Sequence, residues 1–252
     1  MTPTRTLAAA SLALAALAAP SQAFDIDAMS DAERSAFRSE IRSYLLDNPE
    51  VLMEAIGVLE AREAEAQATA DADLVSSLGD EIFRDGRSWV GGNPDGDITL
   101  VEFMDYRCGY CRRAFPEVEQ LLETDGNIRL VVKEFPILGE ESLLASRFAI
   151  SARLIAGDDA YKAVHDALIT QRASVTTASL SKLADDLDLD GDAILAGMEA
   201  PLVTEEIRAN HDLARKLDIN GTPSFILEDE MLRGYVPLAR MQELVAQVRA
   251  DD

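Results

Sequence analysis

Cysteine and histidine are nearly absent: 252 residues hold two of each. A closed zinc site takes four such ligands as a rule, so two cysteines alone do not support one. His165 and His211 have no companion at ligand spacing and read as ordinary half-exposed residues. Basic residues are also scarce, 23 against 46 acidic ones, for a formal net charge of −23. Phosphate backbones are gripped by clustered Lys and Arg, so nucleic acid is excluded as a partner, and an anionic membrane surface is disfavoured. No internal repeat is present. Beyond the first two dozen residues no apolar run approaches the ~20 residues a spanning helix needs.

The N-terminus is different. Arg5 precedes an Ala- and Leu-rich run over residues 7–17, Pro20 breaks it, and Ser21-Gln22-Ala23 places small residues where a signal peptidase cuts. Residues 1–23 are therefore expected to be a signal peptide, and the protein to be exported to the periplasm. In an oxidising compartment cysteines usually come as a spread set of staples. Here the only two, Cys108 and Cys111, stand three positions apart. A bond between them closes so small a loop that it hardly constrains the unfolded chain. The spacing suits reaction better than stability.

Residues 24–84 read as helical. Ser30 with Glu33 marks a helix start, Phe37, Ile41, Tyr44 and Leu45 recur at helical spacing, and Pro49 suits the first turn of a second helix. Leu74, Leu78 and Ile82 resume the stripe after an Ala/Asp/Glu-rich patch near 62–73. Turn residues crowd 85–96, which places the boundary of a catalytic domain over 87–252, with an N-terminal helical region over 24–86. In the second part, residues 98–104 and 128–135 are predicted strands joined by a helix from Cys108 to about Thr124, a parallel βαβ unit. Five helices are expected over about 140–218, then two strands around Glu228-Asp229-Glu230 and a last helix after Pro237. Trp89 is expected to serve packing.

Strand-to-helix placement gives the two thiols different chemistry. At a helix N-terminus, unpaired N–H groups and the helix dipole favour an anion, and thiolate is the nucleophile of disulfide exchange. Cys111 lies one turn on, on the apolar face with Phe115, Val118 and Leu122. It reaches the Cys108 sulfur but hardly a bulky substrate. Cys108 is expected to attack and Cys111 to resolve, the Cys108–Cys111 disulfide being the whole redox group, with no cofactor and no metal.

Residues 102–116, EFMDYRCGYCRRAFP, resemble the active-site segment of the thioredoxin superfamily, and residues 221–225, GTPSF, its cis-proline loop. The helical insertion between them resembles the DsbA-like branch, and the resemblance covers roughly residues 97–250. It implies an α/β thioredoxin-like fold with a helical insertion. It implies a cis Thr222-Pro223 peptide beside the cysteines, with the Thr222 backbone pairing to an extended substrate. Glu102, six residues before Cys108, is implied as a buried acid that exchanges a proton with the resolving thiol. Lys133 on the next strand is a candidate partner for it, its direction left open by simple alternation. Gly109 and Tyr110 form the dipeptide that tunes the thiolate and meets substrate. Gly-Tyr with Thr before the proline is more similar to the isomerase DsbC than to the oxidase DsbA, which carries a His inside its motif. The N-terminal helical extension is similar to that of ScsC-type copper-sensitivity suppressors, and implies a homo-oligomer, dimer or trimer.

The resulting expectation is an exported thiol-disulfide oxidoreductase, an isomerase or reductase of protein substrates, recycled by a membrane redox partner of the DsbD/ScsB or DsbB kind. Alternatives are a monomeric DsbA-like thiol oxidase, a Cu(I)-binding copper-tolerance redox protein with Met104 as a third ligand, and a purely structural role for the helical regions.

Overall fold

The structure, a computed structural model, describes residues 26–251; the expected signal peptide lies outside them. Ser30 opens α1 (Asp31–Asp47) with a capping box, its hydroxyl accepting from the Glu33 N–H while the Glu33 carboxylate accepts from the Ser30 N–H. After Asn48-Pro49 comes α2 (Glu50–Ser77), then the short α3 (Gly79–Phe83). The Ala/Asp/Glu patch is the middle of α2 and no interruption, since Ala and Glu are strong helix formers. Next come β1 (Trp89–Gly92), β2 (Ile98–Met104), α4 (Gly109–Asp125) and β3 (Ile128–Glu134). The insertion holds α5 (Glu140–Ala156), α6 (Asp158–Thr170), α7 (Thr177–Asp186), α8 (Gly191–Gly197) and α9 (Pro201–Lys216). The chain closes with β4 (Ser224–Leu227), β5 (Glu230–Arg233) and α10 (Leu238–Asp251). This is a mixed sheet with helices on both faces, the thioredoxin-like fold.

The five strands lie in the order β1-β3-β2-β4-β5; β2 and β3 are parallel and the other pairs antiparallel. Alternation along the strands splits the interior in two. Ile98, Leu100, Met104, Leu130 and Val132 face one cluster with α4, the insertion and α10. Val101, Phe103 and Val131 face another with Leu213 of α9, Leu217 just beyond its end, and Val75 and Ile82.

The described residues form two compact units parted between Ala61 and Arg62, inside α2, and not in the turn-rich stretch at 85–96. Residues 62–86 belong to the larger unit because Leu74, Val75, Leu78 and Ile82 cover one face of its sheet. A helix that runs through a boundary leaves no turn residues to mark it. That stretch at 85–96 also contains a strand, β1, hidden by its glycines. The Trp89 ring occupies the space a side chain at Gly91 would need, 2.0 Å from an ideal Cβ, and Gly92 has φ +63°.

In the smaller unit nothing in α1 is buried. Ile41, Tyr44 and Leu46 of α1 are exposed, as are Leu52, Met53, Ile56 and Leu59 of α2.

Candidate active site

Cys108 caps α4, its sulfur accepting from the Cys111 N–H at 3.5 Å. Both cysteines are free thiols. Cys108 is 7% exposed and Cys111 1%, so solvent and any client meet Cys108 first. Across from it, Thr222-Pro223 is a cis peptide, and the Thr222 carbonyl oxygen lies 3.1 Å from the Cys108 sulfur, accepting from it when Cys108 is protonated. The loop before the cysteine is held by Asp105. Its carboxylate accepts from the Arg107 N–H and the Ser142 hydroxyl, and from the Ile137 and Leu138 N–H groups beyond β3. The Cys108 N–H donates to the Asp105 carbonyl. Tyr110 stands 61% exposed beside Cys108, its ring 6.3 Å from that of Tyr235.

The electrostatics separate the two thiols. A hydrogen bond from the Cys111 thiol pulls Cys108 down to about 5 against the cost of burial, and the Thr222 side chain and the Cys111 and Tyr110 N–H groups add to the effect. Burial pushes Cys111 far above the ordinary thiol range, and the bond to Cys108 and the charge of Glu102 push the same way. Glu102 itself is raised to about 8, first by burial and then by the negative charge of Cys108. At neutral pH Cys108 is the thiolate, Cys111 the thiol, and Glu102 a mostly protonated acid near both.

Lys133 is not the partner of Glu102. Glu102 stands opposite Val132, and Lys133 opposite Phe103, so the two point to opposite faces of the sheet. Lys133 is buried on the far face, where its ammonium donates to Asp85 at 2.7 Å and to the Glu81 carbonyl at 2.9 Å. The lysine holds the Asp85 carboxyl down at about 2 against its burial. His165 is likewise buried rather than half-exposed; His211 is half-buried. His165 stacks on Tyr161 and lies 3.0 Å from the Tyr106 hydroxyl, and burial depresses it to about 3, a neutral core imidazole.

Sequence reasoning missed the group below the loop. Glu134, at the end of β3, accepts from the Tyr106 hydroxyl at 2.7 Å, the Tyr161 hydroxyl at 2.6 Å and the Ser146 hydroxyl at 2.7 Å. Burial raises it to about 7 while those hydroxyls hold it down. Its partners come from the active-site loop, α5 and α6, so the insertion is pinned to the cysteine segment through one carboxylate. No sequence spacing signals this, because the partners are 12 to 28 residues away along the chain. Trp89 belongs to the same packing, its ring 5.2 Å from that of Tyr161.

The family described as DSBA-like thioredoxin domain matches residues 99–246. The chain belongs to it. The resemblance to the thioredoxin superfamily, and through the helical insertion to its DsbA-like branch, is borne out, and the copper resistance protein ScsC N-terminal domain matches residues 33–66. Among solved structures, a thioredoxin-like oxidoreductase from Silicibacter pomeroyi DSS-3 is 43% identical, with a TM-score of 0.64 over 68% of this chain and 97% of that one. A linker-deletion mutant of Proteus mirabilis ScsC is 26% identical, with a TM-score of 0.67 over 89% and 99%. A curated relative of this DsbA-like chain, the Na(+)/H(+) antiporter NhaA 1 of Salinispora arenicola, is 30% identical over 65% of it. The chain spans only 25% of that protein's length.

Proposed function

We propose that the protein is a thiol-disulfide oxidoreductase of the DsbA/ScsC type, acting on protein substrates through Cys108 and Cys111. The observation that carries this reading is the asymmetry of the pair: a thiolate with a narrow opening to solvent, a fully buried thiol one turn behind it, and a proline loop alongside. The Cys108 thiolate attacks a client disulfide, forming a mixed disulfide and releasing the client's other sulfur as thiolate. In the mixed disulfide the Cys108 charge that helps to raise Glu102 is gone, so ionised Glu102 takes the Cys111 proton as Cys111 attacks Cys108 and releases the client thiolate. The dithiol needs no further cofactor. Thr222 supplies backbone to an extended client segment, with Pro223, Gly109 and Tyr110 shaping the contact.

The finer reading is an isomerase or reductase, exported by residues 1–23, oligomeric through the N-terminal helices, and recycled by a membrane redox partner. It is supported by the ScsC N-terminal match and by the apolar side chains left open on α1 and the first half of α2. Apolar helix faces are normally buried, and a symmetric oligomer buries them against copies of themselves. Several cysteine sites around one client favour rearrangement over simple donation of a disulfide. The test is reactivation of scrambled ribonuclease by the reduced protein, with Cys108→Ser as the inactive control. Reactivation is the expected result. A monomer that only oxidises reduced clients would leave a DsbA-like oxidase, and no exchange in either direction would overturn the reading entirely.

A further inference from the structure

In a molecule with a net charge of −23, the surface beside the reactive thiol carries an excess of arginine. Arg107 and Arg112 flank Cys108 in sequence. The Arg112 guanidinium donates through Nε to the Tyr106 carbonyl at 3.1 Å, and one of its terminal nitrogens is buried with no hydrogen-bond partner. Arg107 reaches across to the insertion and donates to the Ala173 carbonyl at 3.1 Å, which brings exposed Arg172 to the same edge. Arg113 lies over the Tyr235 ring at 4.4 Å, next to Tyr110. Arg107 alone of the four has a carboxylate partner, Glu141 at 3.2 Å. Burial weighs most on Arg112, which also feels Arg107 and Arg172 as like charges, with Asp105 and Cys108 as the opposing ones. Among the described residues Arg113 and exposed Arg172 carry no such carboxylate, so their charges at this edge are open to an anion from outside.

We propose that this arginine rim is a specificity surface for acidic polypeptide: it selects client segments that carry Asp or Glu within a few residues of the cysteine to be attacked. Guanidinium forks match carboxylates in geometry as well as charge. Tyr110 and Tyr235 add aromatic faces on which the client chain can lie. The molecule as a whole repels an acidic client, and the rim reverses that repulsion only within about a Debye length, ~10 Å at 0.1 M salt. Selectivity therefore attaches to residues next to the target cysteine and ignores the client's overall charge. The inference rests on the oxidoreductase reading above.

The test uses the full-length reduced protein and three peptides differing only in Glu, Gln or Lys around one cysteine held in a mixed disulfide with 2-mercaptoethanol. Attack by Cys108 on the peptide sulfur releases the mercaptoethanol thiolate. Cys111 then attacks Cys108, leaving the Cys108–Cys111 disulfide and a free peptide thiol, so the two electrons lost by the protein reduce one disulfide. Rates are read by acid quench and mass spectrometry. Arg172→Gln should lower the Glu-to-Gln rate ratio about two- to threefold at low salt, and Arg172→Glu should lower it further, the Gln-peptide rate being unchanged in both. At 0.5 M salt the ratios should converge. Arg112→Gln should lower the ratio too, with thiolate absorbance at 240 nm separating lost preference from a weakened nucleophile, which slows all three peptides alike. Equal ratios in the wild type and every variant would overturn the rim while leaving the oxidoreductase reading in place. No reaction with any peptide would overturn both.

Discussion

At the scale of single residues, the reactive thiol depends on its partner. The largest influence holding Cys108 near 5 is the hydrogen bond from Cys111, so Cys111→Ala should raise the Cys108 midpoint. Cys111→Ser, whose hydroxyl still donates, should raise it less. Thiolate absorbance against pH checks both, and an unmoved midpoint in Cys111→Ala would show that the helix terminus alone sets it. Glu102 works in the opposite sense. Its folded value, about 8, lies above the ordinary 4.5, so the folded protein holds this proton more tightly than the unfolded chain. Stability is lost as pH rises between those values. Glu102→Gln removes that loss. It should be neutral at pH 4 and stabilise by about 2–4 kcal/mol at pH 8. The gain should be larger in the reduced protein, because the Cys108 thiolate contributes to the shift. Denaturant unfolding at the two pH values measures the gain. If Glu102 accepts the Cys111 proton, the same substitution also slows release of the mixed disulfide.

At the scale of elements, the second half of α2 and α3 are part of the catalytic unit rather than a tether to it. Val75 and Ile82 are buried against the sheet. Asp71 pairs with Arg233 of β5, Lys216 of α9 with Glu81, and buried Lys133 with Asp85. Removing one member of a buried pair strands the other charge, at a cost of about 3–5 kcal/mol. A chain starting at residue 62 should therefore melt near the full-length protein. One starting at residue 87 loses Asp85 together with the apolar cover, and should be largely unfolded or melt far lower. Thermal unfolding by circular dichroism compares them, and equal melting of the two would refute the assignment of residues 62–86. Glu134 plays the matching part on the other face, joining the cysteine loop to α5 and α6 through three hydroxyls.

At the scale of the whole molecule, apolar association and charge oppose each other. Exposed Leu52, Ile56 and Leu59 lie at helical spacing on α2, whereas a charge of −23 on each copy resists assembly. An oligomer built on that face should tighten as salt screens the repulsion, and Leu52→Glu with Ile56→Glu should give a monomer whose exchange with small disulfides is intact. Light scattering at low and moderate salt, with ribonuclease reactivation alongside, reads both consequences. A monomer at every salt concentration would remove the basis for isomerase activity by shared sites.

The sequence by itself determined the features that are local in the chain. The capping box at Ser30, the strand-to-helix junction at Cys108 and the period of the apolar residues are all set by neighbours within a few positions. Short motifs at 102–116 and 221–225 sufficed to identify the family. Tertiary structure alone decided what depends on contacts between distant segments. The direction of Lys133 followed from the register of β2 on β3, and the burial of His165 from the meeting of α6 with β1 and the cysteine loop. The boundary inside α2 followed from which half of that helix finds a sheet to cover. The arginine rim joins residues 107–113 to residue 172. Charges so far apart in the chain act together only when folding brings them to one edge of the site.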